Sequence, residues 1–233
     1  MGRLHVKQAL VVRGGWDGHA PVAATDMFIP HLEATGHAVR VVDTPEVYVE
    51  DAMADVDLIV QCYTMGEASG EAVAGLRRAV AAGTGLVGWH GGIADSFRNS
   101  SDYLQLIGGQ FATHPSKHPD ECHGDQSDNY LPYTVDMLPA AADHPVTAGI
   151  ESFELTTEQY WVLTDDLNDV LATTTHPAPP WHPWHRTITC PAVWTRQWGA
   201  GRICVVTPGH SVDVLEHPSV RTMIERSMVW ASR

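Results

Sequence analysis

Along the first half of the chain, apolar positions gather in short dense runs separated by longer amphipathic stretches. Residues 8–12, 39–42, 56–61 and 86–88 are such runs, too short for helices. Short runs rich in apolar residues read as strands, and 56–61 as one buried on both faces of a sheet. Between them the period lengthens. Pro21 opens a predicted helix with Ala24, Met27, Phe28, His31 and Leu32 at helical spacing, ended by Gly36. Residues 71–82 place Val73, Leu76, Ala79 and Val80 on one face and stop at Gly83. Strands alternating with helices predict parallel pairing through right-handed crossovers.

The second half is less regular. Residues 102–107 read as a short helix before Gly108-Gly109, and 134–137, 152–160 and 169–174 as strands. Residues 191–198 and 202–207, joined by a turn at 199–201, form a predicted hairpin. The last helix starts at Pro218, with Val220, Met223, Ile224 and Met228 inward. Residues 114–132, rich in His, Pro and acidic side chains, read as a long loop, and 176–185, rich in Pro, His and Trp, as a second. No repeat, low-complexity tract or linker interrupts the chain, so residues 1–233 are expected to form one domain.

Composition narrows the function. A hydrophobic fraction of 44% with 18% charged residues describes a globular chain. Its formal charge of −14 repels phosphate backbones and anionic lipid, which argues against nucleic-acid and membrane-surface roles. No apolar stretch approaches the ~20 residues of a membrane span. Met1-Gly2-Arg3-Leu4-His5-Val6-Lys7, followed only by the short run 9–12, leads into a first strand rather than a signal peptide. Four cysteines (Cys62, Cys122, Cys190 and Cys204) without CxxC spacing suit a reducing cytoplasm better than a disulfide framework.

The candidate chemistry lies in a recurrence. Gly18-His19, His90 within Gly88-Trp89-His90-Gly91-Gly92, and Gly209-His210 each follow an apolar run. Parallel sheets collect ligands at the carboxyl ends of their strands, so His19, His90 and His210 are expected to converge there. A Zn²⁺-type site takes three or four N, O or S ligands at ~2.0–2.3 Å. His114 is a candidate further ligand, and Glu158 a candidate carboxylate ligand or general base. A single histidine after a strand is commonly a hydrogen-bonded structural residue; only the set points to a site. His90, His210 and Glu158 are the predicted catalytic residues.

Arg13-Gly14-Gly15-Trp16-Asp17-Gly18-His19 lacks both the GxGxxG order and a Walker lysine, and Asp17 would oppose an anion. Gly15, Trp16 and His19, with Gly91 and Gly92, are therefore expected to contact a neutral, hydroxyl-rich ligand; a tight strand–helix connection is the plainer use of the same glycines. Nucleophile chemistry has less support. Ser211 sits in no GxSxG elbow, and Cys62 at the end of the third strand is of a kind usually buried. The prolines of 114–123 break any helix that would align ligands four apart. Trp181 and Trp184 could cover a pocket or meet a second copy of the chain, which makes a homo-oligomer an open expectation.

The ordered set of pieces resembles the ThuA-like (trehalose utilisation) family, whose fold is similar to class I glutamine amidotransferases. The pieces are Gly14-Gly15-Trp16-Asp17-Gly18-His19, Gly88-Trp89-His90-Gly91-Gly92, Gly109-Gln110-Phe111-Ala112-Thr113-His114-Pro115, His144-Pro145-Val146-Thr147, Glu158-Gln159-Tyr160, Pro191-Ala192-Val193-Trp194, Gly199-Ala200-Gly201-Arg202-Ile203 and Gly209-His210. The resemblance implies a flavodoxin-like α/β fold with a mostly parallel sheet flanked by helices. It also implies a role in disaccharide or oxidised-sugar metabolism, with Tyr160 and Trp194 joining the substrate contacts. Amidotransferases carry a Cys nucleophile where this chain has His90, which disfavours thioester chemistry. Thr157 stands where the pattern would have an acidic residue, which removes one possible carboxylate. The resulting expectation is a sugar-active enzyme with a His/Glu pocket able to hold a divalent metal. The alternatives are a non-catalytic sugar-binding or regulatory module and a hydrolase using Cys62.

Overall fold

A computed structural model describes residues 6–233. Residues 1–5, which belong to the predicted lead-in to the first strand, lie outside the described residues. The strands are β1 (Lys7–Gly15), β2 (His37–Val42), β3 (Leu58–Thr64), β4 (Gly85–Trp89), β5 (Gly109–Thr113), β6 (Tyr130–Met137), β7 (Phe153–Glu158), β8 (Trp161–Thr164), β9 (Asp169–His176), β10 (Ile188–Trp198) and β11 (Gly201–Val206). The helices are α1 (Pro21–Asp26), α2 (Ile29–Ala34), α3 (Gly70–Ala81), α4 (Gly91–Ala94), α5 (Ser101–Ile107), α6 (Val212–Glu216) and α7 (Pro218–Ala231).

Nine strands form one sheet in the order β2-β1-β3-β4-β11-β10-β9-β6-β7. From β2 to β11 neighbours are parallel; from β11 to β7 they are antiparallel. The dense apolar runs have a simple cause, because alternate residues of each parallel strand enter cores on opposite faces. Ala9, Val11, Val60 and Val87 pack with Phe28, Leu32 and Met223 on one side. Leu10, Val12, Ile59 and Leu86 pack with Val47, Leu76 and Tyr103 on the other. The fold is the α/β architecture that the strand–helix alternation predicts, and the flavodoxin-like one that the family resemblance implies.

Four local expectations change. The predicted helix from Pro21 is two helices, because Pro30 lacks an N–H and its ring crowds the preceding turn. Arg13–Gly15, expected to open a loop, continues β1 and pairs with Cys62–Thr64. The long loop ends early, since Tyr130–Pro132 already belong to β6. An unpredicted two-stranded ribbon joins β5 to β8. No helix among the described residues is long and apolar enough to cross a membrane.

The antiparallel half is not a flat extension. Laid flat, five strand spacings of about 4.8 Å would separate β7 from β4 by roughly 24 Å. Yet the last residue of β7 contacts the residue after β4 at 3.1 Å. β6 pairs with β9 only through Asp136 and Met137. The rest of the β6–β7 ribbon leaves the sheet and arches back over the carboxyl ends of the parallel strands.

Candidate metal and substrate site

Three parallel strands deliver three imidazoles to one place. β1 ends in the single 3₁₀ turn Asp17–His19, β4 runs directly into His90, and β11 is followed at once by Thr207 and then His210. The arching ribbon adds Glu158. One ligand atom from each of His19, His90, Glu158 and His210 lies within 4.8 Å of all the others, and all four residues are buried.

The hydrogen bonds at His90 expose an imbalance. Its Nδ1 lies 2.8 Å from the carbonyl oxygen of Thr207, and its Nε2 lies 3.1 Å from Oε2 of Glu158. Both partners are acceptors unless the carboxyl is protonated. A ring between two acceptors needs two protons, and a neutral imidazole has one. Burial holds His90 below its ordinary range despite the hydrogen bond and charge of Glu158, and so disfavours the doubly protonated ring. Burial alone would raise the Glu158 carboxyl, but the ring nitrogens of His210 and His90 outweigh it and hold it well below the usual carboxylate range. With the single proton on Nδ1 toward Thr207, the ionised carboxylate faces the Nε2 lone pair, an arrangement that a cation relieves.

The other two rings follow the same plan. His210 meets the Tyr130 hydroxyl through Nε2 at 2.9 Å. Its Nδ1 lies 3.2 Å from Glu158 Oε2, yet it is buried and has no hydrogen-bond partner. His19 Nδ1 lies 2.9 Å from the Thr64 hydroxyl, which leaves Nε2 as its remaining ligand atom. Burial, with the neighbouring His90 and His210 acting in the same direction, pushes the His19 ring down to about 2. Each histidine is thus held from outside by one nitrogen and offers the other, as metal-bound histidines do. The 3.1 and 3.2 Å separations are close to the ~3.3 Å edge of a tetrahedron with ~2.0–2.1 Å bonds.

The backbone around the cluster is strained. Among the described residues, the non-glycine positions with positive φ are Ala20, Met65, His90 and Phe97, at 44°, 53°, 48° and 40°. Ala20 follows His19, Met65 follows Thr64, and Phe97 lies between Asp95 and Arg98. Strain of this kind persists where the surrounding structure overdetermines it.

Not every predicted contact joins the site. His114 stands outside the four-residue set, with Nε2 3.7 Å from the other Glu158 oxygen, Oε1, and its side chain 28% exposed. Tyr160 stacks on His90 with ring centroids 3.9 Å apart. Trp16, 37% exposed, meets His19 edge-on at 4.8 Å. Trp194 is a correction: it is 0% exposed, inside the core, and its indole N–H donates to the Ile107 carbonyl. Gly15, Gly91 and Gly92 each make room for the protein itself. A Cβ on Gly15 would sit 1.9 Å from the Thr64 carbonyl oxygen, one on Gly91 2.6 Å from His19 Cε1, and one on Gly92 2.7 Å from Cys62 Cα. Cys62 is buried, and burial pushes its thiol up to about 12, which argues against a nucleophilic role. All four cysteines are free. Trp184 packs on Trp161 and Trp181 on His118, which ties the two irregular loops together.

Sequence reasoning missed Tyr130, Thr64 and the Thr207 carbonyl, which hold the three rings. Only the register shows them. Tyr130 lies opposite Glu158, and Thr64 opposite Gly15.

A family model for ThuA, trehalose utilisation, matches residues 8–231. No curated protein sequence matches the chain significantly. Among solved structures, a ThuA-like protein from Bacteroides uniformis superposes with a TM-score of 0.74 at 16% identity, covering 99% of this chain and 93% of that one. Another, from Parabacteroides merdae, gives 0.72 at 16% identity over 97% and 89%. A beta-galactosidase from Bacillus circulans gives 0.57 at 11% identity, covering 97% of this chain but 30% of that one. These likenesses establish the fold.

Proposed function

Because the chain belongs to the ThuA (trehalose utilisation) family, we propose that it is an enzyme acting on trehalose, a related disaccharide or a keto derivative of one. In this reading His19, His90, His210 and Glu158 hold one divalent metal ion through three imidazole nitrogens and one carboxylate. The observation that carries the reading is His90, set between two acceptor oxygens with a single proton to share. The donor set is all nitrogen and oxygen, which suits zinc and other first-row divalent ions. When bound, such an ion supplies Lewis acidity toward a sugar carbonyl or hydroxyl.

The chain's own groups supply the rest. Trp16 offers a partly exposed ring beside His19 for the apolar face of a sugar. Tyr160 backs His90 and fixes the plane of its ring. His114 stays outside the ligand set, partly open to solvent beside Glu158 Oε1, and moves a proton between the bound sugar and water. Glu158 keeps its charge in the buried site because the imidazoles compensate its burial.

The test is turnover of trehalose and of a keto derivative of it, followed by mass spectrometry. The reading expects a new product from the wild-type protein and a loss of at least about a hundredfold in rate for His90→Ala and Glu158→Gln. Product formed equally fast by all three proteins would overturn it.

A further inference from the structure

Beside the cluster stands a polar pair that the proposed reaction does not use. Asp95 is buried, and its carboxylate accepts from Nε of Arg98 and, at 2.7 Å, from Nη2. The Arg98 side chain is nearly half exposed. The pair is built in from both sides. The Asp95 carbonyl accepts from the backbone N–H of Met65 at 2.9 Å, and Phe97, just before Arg98, has a φ of 40°.

Ring contacts link this pair to the cluster. The Arg98 guanidinium carbon lies 5.5 Å from the centroid of Phe111. Phe111 lies 4.4 Å from Tyr160, which stacks on His90. Arg98 and Asp95 also act electrostatically on the Tyr160 hydroxyl. A chain of ring contacts thus leads from the half-exposed guanidinium to the ring stacked on His90.

A guanidinium presents its donors along separate edges. Asp95 occupies the Nε–Nη2 edge, so the Nη1–Nη2 edge remains as a two-pronged donor. It complements two oxygens held side by side. Asp95 cancels the charge of Arg98, so this edge selects paired oxygens of a neutral ligand rather than drawing in an anion. Resting on the sugar reading above, we infer that Arg98 is a substrate-binding residue that takes two vicinal oxygens of a neutral sugar at the mouth of the site, with Asp95 as its positioning residue.

Calorimetric titration with trehalose and, separately, with gluconate tests this on zinc-loaded wild-type protein, Arg98→Gln and the double variant Asp95→Asn/Arg98→Gln. The double variant leaves no unpaired buried carboxylate should the single one fold poorly. Bound zinc per chain is measured on each. The inference expects trehalose to bind the wild-type protein and to bind both variants about tenfold to a hundredfold more weakly, the effect of losing charge-assisted hydrogen bonds, with zinc content unchanged. Equal trehalose affinity in all three would overturn the role of Arg98 and leave the sugar reading standing. Gluconate binding that depends on Arg98, without trehalose binding, would overturn the neutral class. No binding of either compound to the wild-type protein would overturn this inference, while turnover of the keto derivative decides the sugar reading separately.

Discussion

Tyr130 and Glu158 stand directly opposite each other in the β6–β7 register, and both reach the same imidazole. Tyr130 meets Nε2 of His210 at 2.9 Å, and Glu158 approaches its Nδ1 at 3.2 Å. Opposed residues leave a ribbon on the same face, so one pairing sets both the carboxylate and the ring it works with.

Tyr130→Phe is therefore expected to loosen His210 without removing a ligand. Zinc affinity should fall about tenfold to a hundredfold, the usual cost of losing an outer partner of a metal-bound histidine. Competition with a chromophoric chelator measures this. An affinity equal to wild type would mean that the hydroxyl contact holds nothing.

Acid should destabilise the fold well above the carboxylate range. His176 is fully buried, and burial pushes its ring down to about 4 from 6.5. Below pH 6.5 the unfolded chain takes up a proton that the fold refuses, so stability falls as pH falls, until the folded ring also protonates near 4. At about 1.4 kcal/mol per pH unit, His176→Gln should remove about 2–3 kcal/mol of the loss between pH 7.5 and 4.5. Urea unfolding at the two values checks this. An identical loss in both proteins would contradict it.

Gly15→Ala should be costly on steric grounds alone. Its φ is 77°, and a Cβ there would lie 1.9 Å from the Thr64 carbonyl oxygen. The loss of stability should be about 2 kcal/mol or more, read from denaturant midpoints. A neutral effect would mean that β1 and β3 separate easily at that point.

Trp194→Ala should destabilise by about 3–5 kcal/mol, as deletion of a buried aromatic ring does. Bound zinc per folded chain should stay at the wild-type level. Lost zinc in a folded variant would return Trp194 to the site.

These sites show how far the chain could be read before its structure. The parallel half was legible because strands buried on both faces read as dense apolar runs, and each run before His19, His90 and His210 stops close to its imidazole. The ribbons were not. Gly109–Thr113 and Trp161–Thr164 are short, and they pair across long stretches of chain that no local pattern announces. Glu158 was visible as a lone carboxylate, but what brings it to the cluster is the departure of β6 from the sheet after two paired residues. Trp194 misled because an aromatic residue in a strand looks the same in sequence whether it faces a ligand or the core.

The central claim is that His19, His90, His210 and Glu158 bind one divalent cation. Its most direct test is X-ray absorption on protein loaded with one equivalent of zinc, together with the metal content of the wild-type protein and His90→Ala. The account predicts one ion per wild-type chain, a first shell of nitrogen and oxygen at ~2.0–2.1 Å with imidazole scattering, and loss of that ion in the variant. A wild-type chain that retains no zinc, or a sulfur-containing shell that His90→Ala leaves unchanged, would contradict it.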